Sequence, residues 1–569
     1  MIIYPSFQEN YPPYNKGDSF FLQKTFNPRT MKNKTFILIC AVTALLSSCC
    51  NKQKTLQKAK SITAGEHTQV QTTYGPIEGY LDGEIYTFKG IQYAKAERFM
   101  PPQFPDKFTE LKQCKLYGPQ APQGESLRWS GNNQTDYAFG NQFVLEPMDE
   151  EDCLVLNVWT PGINDGKKRP VFLWVHGGGY ASGSGHDLPC YEGYALAEKG
   201  DIVTVNINHR LNILGYLDLS GLGGKYAESV NLGMQDIVKS LEWVRDNIEK
   251  FGGDPNNVTI GGQSGGGGKI STILAMPSAK GLFHKAIVQS GSTLRHTESS
   301  TSQMLGLAVV KELGINPSQP EKLNEFTYDE LVAAGNRATR KLGEEMRAKG
   351  IRGRFGYSPT VDGKILPQHP FDPAAPEISR EVPMLIGTDF NEFTFDINMQ
   401  VTPEEVKQKL TERMGKERAL KYMEAFQKAY PNHEPKEMLY ADLGFRSGAV
   451  KQAAIKSAQG GANAYLYLFT WKPESNALGA SHGMELPFMF NNVAVMREMT
   501  GSSERAYKFE DLVSSAWLSF IKTGNPNTPG IPNWEPYNTE TGPTMILDDV
   551  CQLVYNHDKE LIEYGNSPF

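Results

Sequence analysis

The residues best equipped for chemistry stand in Gly261-Gly262-Gln263-Ser264-Gly265-Gly266, where Gly262 to Gly266 form a G-x-S-x-G pentapeptide directly after the β-rich run Val258-Thr259-Ile260. A serine at the tip of a strand-to-helix turn takes a strained backbone angle, and the positions two before and two after it must lack side chains. Its hydroxyl is a weak nucleophile until a neighbouring base takes the proton, after which it attacks a carbonyl and carries the acyl group covalently. A second feature is independent of the first. The apolar run Val171-Phe172-Leu173-Trp174-Val175 leads into His176-Gly177-Gly178-Gly179-Tyr180. Taken alone, a glycine run is a flexible turn; between a buried strand and the serine pentapeptide, its bare N–H groups converge with that of Gly265 on a developing oxyanion.

Such a serine needs an acid and a histidine, which follow it in that chain order in this arrangement. Ten histidines are present, and four lie after Ser290 and before the final tail: His296, His369, His433 and His482. His482 sits in Gly479-Ala480-Ser481-His482-Gly483-Met484-Glu485, a loop of small residues that lets an imidazole reach across to another loop. His433, between Asn432 and Glu434-Pro435, reads as a solvated turn residue, and His296 and His369 stand in polar loops with no strand before them. The acid belongs just past a strand, where it accepts the imidazole N–H, fixes the tautomer and stabilises the imidazolium. Leu385-Ile386-Gly387-Thr388-Asp389-Phe390-Asn391-Glu392 offers Asp389 and Glu392, with Asp396 slightly later, and position alone leaves the three open.

Positioning these groups is the task of the surrounding elements. From about residue 70 short β-rich runs alternate with helical stretches, which predicts an α/β fold with a central, mostly parallel sheet flanked by helices. Strands are expected at Val171 to Val175, Ile202 to Ile207, Val258 to Ile260, Ala286 to Val288, Met384 to Ile386 and Tyr465 to Phe469. Between Asn231 and Phe251, Ile237, Leu241, Val244 and Ile248 recur at helical spacing, and Gly252-Gly253-Asp254-Pro255 ends that helix. Two charged, helical stretches, roughly 300 to 350 and 400 to 450, read as insertions above the sheet. The 569 residues are 39% hydrophobic and 21% charged, enough to bury a large core, so residues 70 to 569 are expected to form one catalytic domain. The net charge, 57 basic minus 64 acidic residues or −7, repels phosphate backbones and argues against nucleic acid as a partner.

The front of the chain reads as an export signal. After Met31, Lys32 and Lys34 precede the apolar run Thr35 to Leu46, which is too short to span a bilayer as a mature helix. Leu46-Ser47-Ser48-Cys49 resembles a bacterial lipoprotein signal, cut before the cysteine and acylated on its sulfur. Residues 31 to 48 are then the signal, 1 to 30 an upstream extension, and 49 to 69 a lipidated tether in which Lys52, Lys54, Lys58 and Lys60 face a membrane surface. The expectation is an exported protein, periplasmic or at the cell surface, that meets the membrane only through the lipid on Cys49. Of seven cysteines, Cys40 leaves with the signal and Cys50, Cys114, Cys153, Cys190 and Cys551 remain beside Cys49. None stands in a CxxC or Cys/His metal spacing, so no metal is expected, while export permits one or two disulfides.

These residues resemble the type-B carboxylesterase family, which includes cholinesterases and fungal lipases within the α/β-hydrolase fold, over roughly residues 70 to 545. The resemblance rests on Phe88-Lys89-Gly90-Ile91-Gln92-Tyr93-Ala94, Arg98-Phe99, Glu151-Asp152-Cys153-Leu154-Val155-Leu156-Asn157-Val158, the glycine run after His176, Asn208-His209-Arg210-Leu211, Phe251-Gly252-Gly253-Asp254-Pro255, the Ser264 turn, Gln289-Ser290-Gly291-Ser292 and Thr523-Gly524-Asn525-Pro526-Asn527. It implies that Ser264 is the nucleophile, Glu392 the acid and His482 the base, with Gly178, Gly179 and Gly265 as oxyanion donors. It implies further that Ser290 and Glu485 support the triad, and that Arg98 with Glu151 and Arg210 with Asp236 form structural ion pairs.

The chain departs from the family pattern in several places. The family's Glu-Ser-Ala-Gly is here Gln263-Ser264-Gly265-Gly266, followed by Gly267 and Gly268. Gln263 removes a charge beside the serine, which points to a different pH dependence, and each helical glycine costs about 1 kcal/mol relative to Ala in a helix interior. The cysteine that partners Cys153 in the family is Ala121 here, with Cys114 seven residues earlier, so either the bridge moves to Cys114 with Cys153 or Cys153 is free. The tryptophan that cholinesterases stack on choline is absent at its spacing, with Phe143 the rough equivalent and Trp129 upstream, which disfavours quaternary-ammonium esters.

The implied activity is hydrolysis of a small-molecule carboxylic ester, with no cofactor. A serine peptidase or amidase on the same fold is the nearest rival. A non-catalytic binding member of the family is disfavoured because serine, acid and histidine are all present. A P-loop reading of Gly262 to Lys269 fails, since Gln263 stands where the first Gly is needed and Ile270 where Ser or Thr would bind magnesium. Specificity belongs to the loops at 120 to 147, 300 to 350 and 395 to 450; acyl length, alcohol and oligomeric state are left open.

Overall fold

A computed structural model describes residues 61–124, 147–350, 355–393, 401–474 and 479–565. The upstream extension, the signal at 31 to 48, Cys49 and the tether to residue 60, as well as Trp129, Phe143 and Asp396, lie outside the described residues.

Twelve strands form one sheet: β1 (Ile62–Thr63), β2 (Tyr80–Asp82), β3 (Ile85–Gln92), β4 (Val155–Thr160), β5 (Arg169–Val175), β6 (Val203–Ile207), β7 (Gly253–Gln263), β8 (Lys285–Gln289), β9 (Met384–Asp389), β10 (Ala464–Phe469), β11 (Pro543–Leu547) and β12 (Gln552–Tyr555). Their spatial order follows the chain except that β6 stands between β4 and β5. From β6 to β11 every neighbouring pair is parallel, while both ends of the sheet are antiparallel. All the expected strands form; those expected at Val258 to Ile260 and Met384 to Ile386 are longer, running over Gly253–Gln263 and Met384–Asp389.

A parallel sheet covered on both faces demands strands without a solvent side. Val171, Leu173 and Val175 of β5 enter one core with Ile237, Leu241 and Val244 of helix α1 (Leu232–Asn247). Phe172 and Trp174, pointing the opposite way with the period of a strand, enter a second core with Trp517 and Phe520 of a helix at Glu504–Thr523. The expected insertions are helical. One contains Ser299–Glu312 and Tyr328–Ala348, the latter started by a capping box between Thr327 and Glu330. The other contains Pro403–Met414, Lys416–Ala429 and Gly444–Ala458.

Registry aligns the strand ends. Val175 of β5 is opposite Gly262, Gln263 of β7 opposite Gln289, Gln289 of β8 opposite Gly387, and Asp389 of β9 opposite Phe469. The glycine run, the serine turn, the acidic loop and the His482 loop therefore all leave the same carboxyl edge, where α/β sheets build their sites.

Three sequence expectations need correction or are resolved. Arg98 pairs with Glu150, not Glu151: its Nε donates to Glu150 Oε2 at 2.8 Å. The reason is a turn in which Asp149 Oδ1 accepts the N–H groups of Glu151 (2.8 Å) and Asp152 (3.1 Å), which leaves Glu150 facing the guanidinium. Cys114, Cys153, Cys190 and Cys551 are all buried and free, so the shifted bridge does not form. His433 is not a solvated turn residue; its ring packs 4.7 Å from that of Phe390 and 5.1 Å from that of Tyr430. Arg210 does pair with Asp236, through Nε at 2.9 Å and Nη2 at 2.6 Å, fully inside the protein.

Candidate active site

Ser264 joins β7 to helix α2 (Gly265–Ile273) with φ 59° and ψ −127°, a conformation costly for any residue with a side chain. Its N–H donates to Gln289 O at 2.8 Å, continuing the β7–β8 ladder by one more bond. The flanking glycines are obligatory for contact: a Cβ at 262 would lie 2.5 Å from the Gly266 carbonyl carbon, and one at 266 would lie 2.2 Å from Val175 O. The glycines at 262 and 266, which propensity alone marks as helix-weakening, thus let this helix pack backbone on backbone against two strand ends.

The same closeness brings together the glycines expected to supply oxyanion donors. Gly178 and Gly179 take φ of +80° and +62°, and a Cβ at Gly265 would lie 2.4–2.5 Å from the Cα and N of Gly179. The glycine loop and the first helical residue are therefore in contact, as the sequence leads one to expect. Lys269, wholly buried one turn further along α2, donates to His176 O at 3.1 Å from beneath this loop. Burial pulls its ammonium down to about 7 and pushes the neighbouring Asp187 carboxyl up to about 7. Neither residue was signalled by the sequence.

The acidic and histidine loops are laced together. Asn391 N donates to Ala480 O at 2.9 Å, Ala480 N to Asn391 Oδ1 at 3.0 Å, and His482 N to Glu392 O at 2.7 Å. This leaves Glu392 Oε2 hydrogen-bonded to His482 Nδ1, while Glu392 Oε1 accepts Asp389 N–H at 3.0 Å. Asp389 does not reach the imidazole; its Oδ2 accepts Gly483 N–H at 2.8 Å. Of the two described candidates for the acid, the imidazole therefore bonds Glu392.

The other ring nitrogen, His482 Nε2, faces Gln263 Nε2 at 3.2 Å. The imidazole thus spans from Glu392 to the residue immediately before Ser264. In this arrangement the Gln263 amide donates to the Nε2 lone pair, and Ser264 Oγ has no hydrogen-bond partner among the described residues. Phe393 packs against the imidazole at 4.3 Å between ring centres, tilted by 31°, and Phe445 lies at 5.6 Å. Phe393 is 52% exposed although it is a large hydrophobe, so an aromatic face is open beside the histidine. It follows Glu392 directly, but nothing in its type distinguishes it in the sequence from a core phenylalanine.

Ser290 and Glu485 are both buried close by, and neither hydrogen-bonds the imidazole. Ser290 N donates to Gly387 O at 2.8 Å while its Oγ has no partner among the described residues. Glu485 Oε1 accepts Gln289 Nε2 at 3.1 Å, and Gln289 Oε1 in turn accepts Trp517 Nε1 at 3.4 Å. Burial, with the Glu485 and Glu392 carboxylates nearby, raises the Asp389 carboxyl well above the ordinary range. Among the described residues no group of three or more His, Cys, Asp or Glu is placed to hold a metal ion.

Comparison with known proteins gives the family. The model of the carboxylesterase family matches residues 66–561. The chain is 34% identical over 505 residues to para-nitrobenzyl esterase of Bacillus subtilis (strain 168), covering 87% of this chain and 97% of that protein. It is 30% identical over 501 residues to phenmedipham hydrolase of Pseudarthrobacter oxydans, covering 84% and 94%. Among solved structures, an esterase from anaerobic Clostridium hathewayi described as able to hydrolyze aliphatic aromatic polyesters superposes with a TM-score of 0.80 at 34% identity, covering 89% of this chain and 99% of that one.

Proposed function

The chain belongs to the carboxylesterase family and is an ester hydrolase of the α/β-hydrolase fold, and from that premise we propose that it works through an acyl-enzyme on Ser264 with His482 as base and Glu392 as acid. The observation that carries this reading is the imidazole held by Glu392 at Nδ1 with Nε2 aimed at residue 263, beside the strained serine. Substrate entry exchanges the Gln263 amide for Ser264 Oγ at Nε2. His482 then removes the serine proton as Oγ attacks the ester carbonyl, and the N–H groups of Gly178, Gly179 and Gly265 hold the oxyanion. The imidazolium returns that proton to the departing alcohol, and water, deprotonated by the same nitrogen, releases the acid. Glu392 keeps Nδ1 protonated throughout and offsets the positive charge of the imidazolium.

The open ring of Phe393 and the nearby ring of Phe445 support an aryl or benzyl group in the substrate, stacked beside the histidine. The relatives' names point the same way, toward nitrobenzyl esters and aliphatic aromatic polyesters. Replacing Ser264 with Ala is expected to lower turnover of a nitrophenyl butyrate on the order of 10⁶-fold while the circular dichroism spectrum is unchanged. Near wild-type turnover by that variant would overturn the assignment. Matched ester and anilide substrates, assayed in parallel, separate esterase from amidase; cleavage of the ester alone is the expected result.

The same proposal includes export and anchoring through a lipid on Cys49, supported by the signal-like run before it, with residues 70 to 569 as the catalytic domain. Cys49→Ser should move the protein from the detergent phase to the aqueous phase in Triton partitioning, and an unchanged distribution would refute the anchor.

A further inference from the structure

Behind the histidine loop two carboxyl groups adjoin, with no lysine or arginine paired to either among the described residues. Asp389 and Glu485 are both completely buried. One oxygen of each is satisfied, Asp389 Oδ2 by Gly483 N–H at 2.8 Å and Glu485 Oε1 by Gln289 Nε2 at 3.1 Å. The remaining oxygens, Asp389 Oδ1 and Glu485 Oε2, have no donor among the described residues, although the two carboxyl groups adjoin each other. An ionised carboxylate only accepts hydrogen bonds, so two ionised groups here would face each other with like charge and nothing to share. Glu392 adds a third carboxylate nearby. The other titratable groups around the pair and Glu392 are His482 and Asp442 on the loops, the Tyr467 phenol on β10, and Cys190 and Tyr191 on the Glu485 side. Among the described residues, neither Asp389 nor Glu485 forms an ion pair with a lysine or arginine.

We propose that a single proton is shared between Asp389 Oδ1 and Glu485 Oε2, and that this carboxylic acid–carboxylate pair makes Asp389 a positioning residue for His482. The proton satisfies both orphaned oxygens at once. It removes one of three negative charges from a fully buried cluster, which leaves Glu392 as the carboxylate that faces the imidazole. Through Oδ2, Asp389 then fastens Gly483, the residue next to His482, to the end of β9, while its own N–H holds Glu392 Oε1. One residue thus ties the acid and the base loops to the same strand end. The kinetic half of this inference rests on His482 being the base; the protonation half does not.

Infrared difference spectroscopy tests the proton directly. At pH 8, where ordinary carboxyls are ionised, the wild-type protein should show a protonated-carboxyl C=O band that is absent in Asp389→Asn and retained in Ser264→Ala. The asparagine amide also supplies one donor to Glu485 and one acceptor to Gly483, so Asp389→Asn should keep kcat within about threefold of wild type. Asp389→Ala should lose at least tenfold in kcat with little change in KM. Absence of a band that Asp389→Asn removes would overturn the proposal, as would equal loss of kcat in Asn and Ala variants. If the Ala variant does not fold, the band and the Asn rescue still decide. Should Ser264→Ala prove fully active while the band behaves as described, the nucleophile assignment falls and the shared proton stands.

Discussion

At the scale of single residues, position 263 governs what Nε2 of His482, the proposed base, sees before substrate arrives. Its amide donates to His482 Nε2 at 3.2 Å, an interaction made with the unprotonated ring. In Gln263→Glu a carboxylate would stand at that distance and favour the imidazolium instead. The sign follows: the base remains protonated to a higher pH, so the acid limb of kcat/KM should move upward by about one unit. A pH profile on a nitrophenyl ester measures it, and an unmoved limb would mean that residue 263 does not reach the ring in solution. This glutamine and its departure from the family pattern were legible in the sequence, as were Ser264 and His482. The choice among acids was not legible from position alone, because Asp389 and Glu392 follow the same strand three residues apart. Only the lacing of Asn391 to Ala480 turns one carboxylate to Nδ1 and the other to a backbone N–H.

At the scale of elements, local propensity and tertiary packing disagree at the start of α2. Propensity says that Gly266→Ala should stabilise the helix by about 1 kcal/mol. The structure puts the added Cβ 2.2 Å from Val175 O and 2.9 Å from His176 O, both backbone atoms that no rotamer change can move. Overpacking of this kind costs about 1–3 kcal/mol, so the variant should unfold at lower urea and lose activity as the glycine loop is pushed from the serine turn. An increase in the urea midpoint would show that the contact is looser than described. The long strands were legible because continuous apolar runs such as Val171 to Val175 leave no other reading. The start of β7 was not: Gly252 to Pro255 reads as a breaker, yet Gly253 pairs with Arg169 across an irregularity that ends at Val258. Arg169 N–H donating to Gly252 O at 2.9 Å holds that pairing, and a long-range bond of this kind leaves no periodic trace.

At the scale of the whole molecule, the helical insertion beyond β9 is fastened to the end of the chain by a buried ion pair. Arg446, on the helix at Gly444–Ala458, donates through Nε to Asp558 Oδ2 at 2.7 Å, and Tyr430 Oη donates to the same oxygen at 3.3 Å. Arg446 Nη2 also reaches Thr544 Oγ1 of β11 at 3.2 Å, so the insertion, the far strand and the C-terminal segment share one guanidinium. The overall α/β architecture could be read from the chain, but this clasp could not. Its partners stand 112 residues apart, and neither differs in type or setting from a surface charge. Burial alone would raise the Asp558 carboxyl; the Arg446 and His557 charges overcome it and hold the group down at about 2. A carboxyl depressed on folding stabilises the protein above its unfolded value near 3.8, and that contribution is lost as pH falls through about 2. Asp558→Asn leaves Arg446 buried without a counter-charge, so it should lower stability by about 3–5 kcal/mol at pH 7. Because wild type and variant differ only at residue 558, the gap between their urea midpoints reports Asp558 together with the two groups paired with it, Arg446 and His557. That gap should be constant from pH 7 to 5 and close progressively between pH 4 and 2; a gap that stays the same at every pH would show that Asp558 contributes shape and hydrogen bonding but no charge.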